Sequence, residues 1–72
     1  MGDKLPRLTA KEAEKILLEN GFFVDRQKGS HRIYVKNGCR MVLPHHSGET
    51  LHPKIIKQLF DVIDEIISVE IQ

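Results

Sequence analysis

The sequence lacks the features that would cross-link the chain by disulfides or anchor it in a membrane. It contains a single cysteine, Cys39, so no disulfide can form within the chain. No apolar run approaches the roughly 20 residues that span a bilayer, and no signal-peptide pattern is present. These absences favour a protein of the reducing cytosol, with no membrane partner.

The chain also lacks the length for a deep substrate cavity. Its 72 residues predict one domain over residues 1–72, with a core of about residues 9–67. A chain near this size buries only about 60% of the surface that its unfolded form exposes. Any active site is therefore expected at the surface, acting on something large.

Acidic residues are missing from the middle of the chain. Residues 26–48 contain neither aspartate nor glutamate, whereas residues 58–72 contain four acids and no lysine or arginine. The middle segment holds five cations and three histidines, which are Arg26, Lys28, Arg32, Lys36, Arg40, His31, His45 and His46. This asymmetry favours a surface that faces a polyanion, although solvated strand residues explain it equally well.

Local signals predict the order α-β-β-β-α. Thr9 and Glu12 form a capping box that opens a helix over residues 10–20, which Gly21 ends. Its apolar stripe is Ala10, Ala13, Ile16 and Leu17, and its solvent face is Lys11, Glu12, Glu14, Lys15 and Glu19. A strand opens at residues 22–24 and breaks at residues 28–30.

Two further strands form a hairpin over residues 31–36 and 39–43, because Asn37-Gly38 is the strongest signal for a two-residue turn. Simple alternation places His31, Ile33 and Val35 on the apolar face. It places Arg32, Tyr34 and Lys36 on the polar face, where Tyr34 is an ordinary strand residue or, less favoured, a platform for a base.

A second helix is predicted from Pro53 to about residue 67. This helix is expected to bury Ile56, Leu59, Phe60, Ile63 and Ile67 against the core. Residues 68–71 fit either a short edge strand or a continued helix. The expected fold class is α+β, with a three-stranded antiparallel sheet and two helices on one of its faces.

Several of these motifs, in this order, resemble the HicA (YcfA-like) family of mRNA interferase toxins. They are Asn20-Gly21-Phe22, then Gly29-Ser30-His31, then the run from Val42 to His46, then a loop with Leu51 and an isoleucine-rich helix. The resemblance covers residues 9–67 and implies a fold like that of double-stranded-RNA-binding domains. The family's second helix usually ends soon after its apolar run, whereas here residues 66–71 continue apolar and suggest a contact within an oligomer or with a partner.

The resemblance implies a cytoplasmic, metal-independent endoribonuclease with no cofactor, which a HicB-type antitoxin neutralises. It makes His31 the catalytic candidate, since an imidazole can take and give a proton near neutral pH. We expect it to help deprotonate a ribose 2′-hydroxyl. The RNA-binding candidates around it are Lys28, Gly29, Ser30, Arg32 and His46.

Other interpretations of the same residues stay open. Alternation favours burial of His31, which would make it a core histidine. His45 and His46 fit an exposed loop equally well, and His46 alternatively serves as a second acid–base group. A zinc site that uses Cys39 and His52 lacks a known ligand spacing. The whole chain could instead be a non-catalytic RNA-binding module, or an adaptor that binds a partner through its apolar C-terminus.

Overall fold

The computed structural model describes residues 5–71, and for residues 69–71 it describes the backbone alone. Residues 1–4 and 72 of the predicted domain lie outside the described residues. The elements are α1 (Ala10–Glu19), β1 (Phe23–Lys28), β2 (His31–Lys36), β3 (Cys39–Pro44) and α2 (Pro53–Ile71). The predicted order and the α+β class are confirmed.

Helix α1 begins and ends where its capping residues predict. The Thr9 hydroxyl accepts from the Glu12 amide at 3.2 Å, and the Thr9 amide donates to the Glu12 carboxylate at 2.9 Å. Gly21 stops the helix with a φ of 90°, a conformation that costs glycine little. Ala13 and Leu17 are fully buried, so packing of one apolar stripe adds to the capping.

The three strands form an antiparallel meander in the order β1-β2-β3. Asn37 and Gly38 have φ values of 48° and 82°, as a type I′ turn requires. The turn between β1 and β2 is Gly29-Ser30, and a bulge interrupts β1 between Val24 and Arg26. The predicted hairpin is confirmed, and β3 extends one residue further than predicted, to Pro44.

The predicted faces of β2 were wrong, because the helices cover the face that carries Arg32, Tyr34 and Lys36. Tyr34 is completely buried in the core cluster, and the Lys36 ammonium donates to the Asn20 carbonyl at the end of α1, at 2.8 Å. Alternation sorts a strand into two sets but does not say which set is covered. A base-stacking role for Tyr34 is excluded, because its ring has no exposed surface.

Helix α2 packs on the same face of the sheet as α1 and continues to Ile71. Ile56, Leu59, Ile63 and Ile66 are buried, so the prediction that Ile67 faces the core was wrong, since it is 43% exposed. No glycine or proline interrupts residues 68–71, and the helical alternative for them is confirmed. The side chains of residues 69–71 lie outside the described residues, and the expected partner contact there stays a prediction.

Neither helix in residues 5–71 is long and apolar enough to cross a membrane.

Candidate active site

One end of the sheet brings together the two histidine-containing segments of the sequence. His31 pairs with Lys28 across the β1–β2 turn and with Pro44 of β3. The His45 amide then donates to the Ser30 carbonyl at 2.7 Å. This backbone bond fastens the loop after β3 to the Gly29-Ser30 turn, so the two segments form one end of the domain.

His31 lies on the face of the sheet that the helices leave open. Its side chain is exposed, and it makes no hydrogen bond to the residues that the structure describes. Burial as a core histidine, which alternation favoured, is therefore wrong. Because the His31 imidazole is exposed and bonds to no described residue, it is available to bind a ligand.

The turn residues before His31 are accessible as well. Lys28 is exposed and Ser30 is half-buried. Gly29 has a φ of 60°, and a Cβ placed on it would meet nothing within 4 Å. Glycine is therefore favoured here because of its positive φ and not because a side chain would clash. The backbone of the turn is accessible beside Lys28.

The remaining predicted site residues, Arg32 and His46, lie around the end of the sheet on its covered side. Both line an open cleft of about 510 Å³ between the start of α1 and the loop after β3. The loop is held in place because the Leu51 amide donates to the Leu8 carbonyl at 2.7 Å. The lining residues are Thr9, Ala10, Lys11, Glu14, Arg32, His45, His46, Ser47 and Gly48.

Three of the cleft's lining residues and the buried Tyr34 behind them form a hydrogen-bonded cluster. We call it the Glu14 cluster: Glu14, Arg32, Tyr34 and His45. Glu14 Oε2 accepts from Arg32 Nη1 at 2.6 Å and from the Tyr34 hydroxyl at 2.5 Å. The Tyr34 oxygen lies 2.9 Å from His45 Nε2, which is 4.0 Å from Glu14 Oε2. The cluster joins α1, β2 and the loop after β3.

Contacts within the cluster shift the pKa values of its members. Burial raises the pKa of Glu14, but hydrogen bonds from Tyr34 and Arg32 and the Arg32 charge outweigh it, so the net pKa is lowered. Burial and the hydrogen bond to Glu14 raise the pKa of Tyr34. Burial and then the Arg32 charge lower the pKa of His45, against the attraction of Glu14. Near neutral pH these pKa shifts favour an ionised Glu14, a protonated Tyr34 and a neutral His45.

The sequence reasoning missed the Glu14 cluster, because it assigned Glu14 to the solvent face of α1. One signal was available: position 14 is four residues after Ala10 and three before Leu17, which places it on the apolar stripe. A carboxylate on such a stripe needs a partner. That partner is Arg32 of β2, and no local pattern identifies it.

A zinc site has no support among residues 5–71, where no group of three or more potential ligands is close enough to hold a metal ion. Cys39 is half-buried. His52 precedes α2, and its Nδ1 accepts from the Lys54 amide at 3.0 Å. His52 therefore caps the helix, where a side-chain acceptor satisfies one of the unpaired amides.

Comparison with known families identifies the chain. The family model described as "HicA toxin of bacterial toxin-antitoxin" matches residues 10–64, which is more than half of the chain. The chain therefore belongs to the HicA toxin family, and the resemblance seen in the sequence is confirmed. The match includes all of α1, the whole sheet and most of α2. Comparisons with curated proteins and with solved structures gave no match.

Membership makes the chain a toxin of the toxin–antitoxin kind, for which an antitoxin partner and an RNA substrate are general to the family.

Proposed function

We propose that this chain is the toxin of a type II toxin–antitoxin system and a metal-independent endoribonuclease that cleaves mRNA in the cytoplasm. In this proposal His31 is the catalytic histidine and exchanges a proton with the reacting RNA. The observation that supports it best is the position of His31, exposed at the end of the sheet and beside an open turn.

The chemistry needs a group that is half-protonated near neutral pH, and imidazole is that group among the side chains. Cleavage without a metal proceeds by attack of a ribose 2′-hydroxyl on the neighbouring phosphate, which requires proton transfers at two oxygens. A positioned acid or base accelerates such a step by about 10²–10⁴-fold. An exposed histidine on a small domain can supply this without an enclosed cavity.

Lys28, Gly29, Ser30, Arg32 and His46 are proposed to hold the RNA around His31. Lys28 is exposed and pairs directly with His31, so its ammonium can reach a phosphate on the open side. Arg32 and His46 line the cleft on the other side. An RNA strand that crosses the end of the sheet would therefore contact both groups, with the phosphate contacts fixing its position.

The antitoxin partner is proposed to be of the HicB type, as the family resemblance implies. Co-expression with the product of a neighbouring HicB-like reading frame should suppress growth arrest by this chain. Arrest that persists while a stable complex fails to form would contradict this choice of partner.

The decisive experiment incubates the purified chain with a mixed-sequence RNA in the presence of a metal chelator. We expect cleavage by the natural chain and a loss of about 10²-fold or more in rate for His31→Ala, with the same thermal melting curve. Lys57→Ala is the matched control, since Lys57 is exposed on α2 and is paired with Asp61. RNA binding without cleavage by either form would instead support a non-catalytic RNA-binding module.

A further inference from the structure

The hydrogen bonds of the Glu14 cluster fix which nitrogen of His45 carries its proton. Glu14 is ionised and can only accept, so the Tyr34 hydroxyl donates its single proton to Glu14. The Tyr34 oxygen must then be the acceptor in its 2.9 Å contact with His45 Nε2. Neutral His45 is therefore protonated on Nε2, and its Nδ1 holds a free lone pair.

That lone pair is accessible. His45 Nδ1 makes no hydrogen bond to the described residues, and no unpartnered polar side-chain atom among them is cut off from solvent. The His45 side chain keeps 19% of its surface exposed, and it lines the cleft together with His46 and Lys11. A neutral acceptor of fixed orientation thus lies in a cleft with cationic and imidazole side chains beside it.

His31 and His45 lie on opposite sides of the same end of the sheet. His31 pairs with Pro44, the residue before His45, but His45 contacts Tyr34 on the covered face of the sheet, whereas His31 lies on the open face. In an in-line displacement the attacking and leaving oxygens are also on opposite sides of the phosphorus. A single imidazole is poorly placed to exchange protons with both oxygens. Two imidazoles on either side of a strand end can each exchange a proton with one of them.

We propose that His45 is a second acid–base residue, which takes the proton of the ribose 2′-hydroxyl on its Nδ1. This inference rests on the proposed ribonuclease function, and it moves the 2′-hydroxyl proton from His31 to His45. The freed 2′-oxygen attacks the adjacent phosphorus and the bond from phosphorus to the 5′-oxygen breaks. His31, in its protonated form, gives a proton to that 5′-oxygen. The products are a 2′,3′-cyclic phosphate end and a 5′-hydroxyl end, and water exchanges the protons afterwards.

Tyr34 and Glu14 act in this scheme as positioning residues. They hold the Nε2–H tautomer, as a backbone carbonyl or carboxylate does for other histidines. The charged and titratable groups around His45 are Glu14 from α1 and Arg32 and Tyr34 from β2, with Lys11 and His46 facing the cleft. Arg32 is held by Glu14 at 2.6 Å, which limits its repulsion of a proton on His45.

The test uses His45→Gln, because a glutamine amide reaches the position of Nε2 and can still donate to Tyr34. It offers no basic nitrogen at the position of Nδ1. We expect His45→Gln to fold and to bind RNA as the natural chain does, while single-turnover cleavage falls about 10²-fold or more. The acid limb of the natural chain's rate profile against pH should disappear in this variant. His52→Asn is the matched control, since asparagine also caps a helix, and it should cleave at the natural rate.

A second variant keeps the proposal testable if His45→Gln does not fold. In His45→Ala, added imidazole should restore part of the cleavage rate. Cleavage by His45→Gln at the natural rate, or an unchanged acid limb, would overturn the role of His45 and leave the proposed function intact. Absence of cleavage by the natural chain would overturn the proposed function itself, and this inference with it.

Discussion

The two sides of the sheet end carry histidines in opposite physical states. On the open side, His31 is exposed and has no hydrogen-bond partner among the described residues. On the covered side, His45 is mostly buried and bonded through Tyr34 to Glu14. The same residue type is thus left free at one position and fixed in one tautomer at the other. A substitution on the open side can therefore remove a reactive group without disturbing the core.

The largest expected contrast in stability comes from Tyr34→Phe. Removing the hydroxyl takes one donor from Glu14 and leaves His45 Nε2–H without its acceptor, in a part of the molecule that is largely closed to water. We expect a loss of about 2 kcal/mol in the free energy of unfolding, measured by urea denaturation. His31→Ala should change it by less than about 0.5 kcal/mol. Equal losses in the two variants would remove the distinction between the two sides.

Glu14→Gln should cost less at neutral pH, about 1 kcal/mol, because an amide oxygen in the position of Oε2 can still accept both hydrogen bonds and the variant loses the negative charge. The stability difference between the natural chain and this variant should also depend on pH. The pKa of Glu14 is lowered in the folded chain, so its contribution is complete above the unfolded pKa of about 4.3. The contribution disappears as pH falls through the folded value. The free energies of unfolding of the natural chain and of Glu14→Gln should therefore converge at low pH. A difference that grows as pH falls would show that folding does not lower the pKa of Glu14.

The titration of His45 gives a smaller effect in a higher pH range. Its pKa is lowered in the folded chain, so the unfolded chain binds this proton first as pH falls below about 6.5. Stability is therefore expected to decrease from pH 7 to pH 5. His45→Gln lacks the titrating group and should show a shallower decrease over the same range. An identical slope would show that His45 titrates alike in both states.

The smallest expected effect concerns RNA affinity on the open side. Lys28→Ala should weaken RNA binding and reduce the slope of log affinity against log salt by about 1. Measurements on a chain with His31→Ala as background prevent cleavage from interfering. Lys15→Ala is the control, since Lys15 is exposed on α1 outside both the turn and the cleft. The same change of slope in both variants would indicate non-specific attraction rather than a contact at the turn.

The parts of the fold that were predictable are those with local causes. Thr9 and Glu12 cap α1, and Asn37 and Gly38 adopt the positive φ of their turn. Each of these signals acts within a few residues, where side-chain and backbone geometry are set by the sequence itself. Pro53 likewise opens α2 at the predicted position.

The errors concern residues whose state depends on distant partners. The ring of Tyr34 was assigned to the polar face, yet it is buried. Its hydroxyl can be buried because it donates to Glu14 and accepts from His45. Glu14 was assigned to solvent, yet Arg32, 18 residues away in sequence, holds it. Ile67 was assigned to the core, but the rotation of α2 on the sheet buries Ile66 instead.

The element order, the turns, the family and the place of Gly29-Ser30-His31 at the start of a strand could all be predicted from the sequence. The helices cover the Tyr34 face, so that His31 is open to solvent while His45 is fixed beside Glu14, and this arrangement depends on tertiary packing. The reason is that alternation along a strand is symmetric between its two faces. The two faces become different only when a helix packs on one of them and its side chains form hydrogen bonds with the polar atoms buried there.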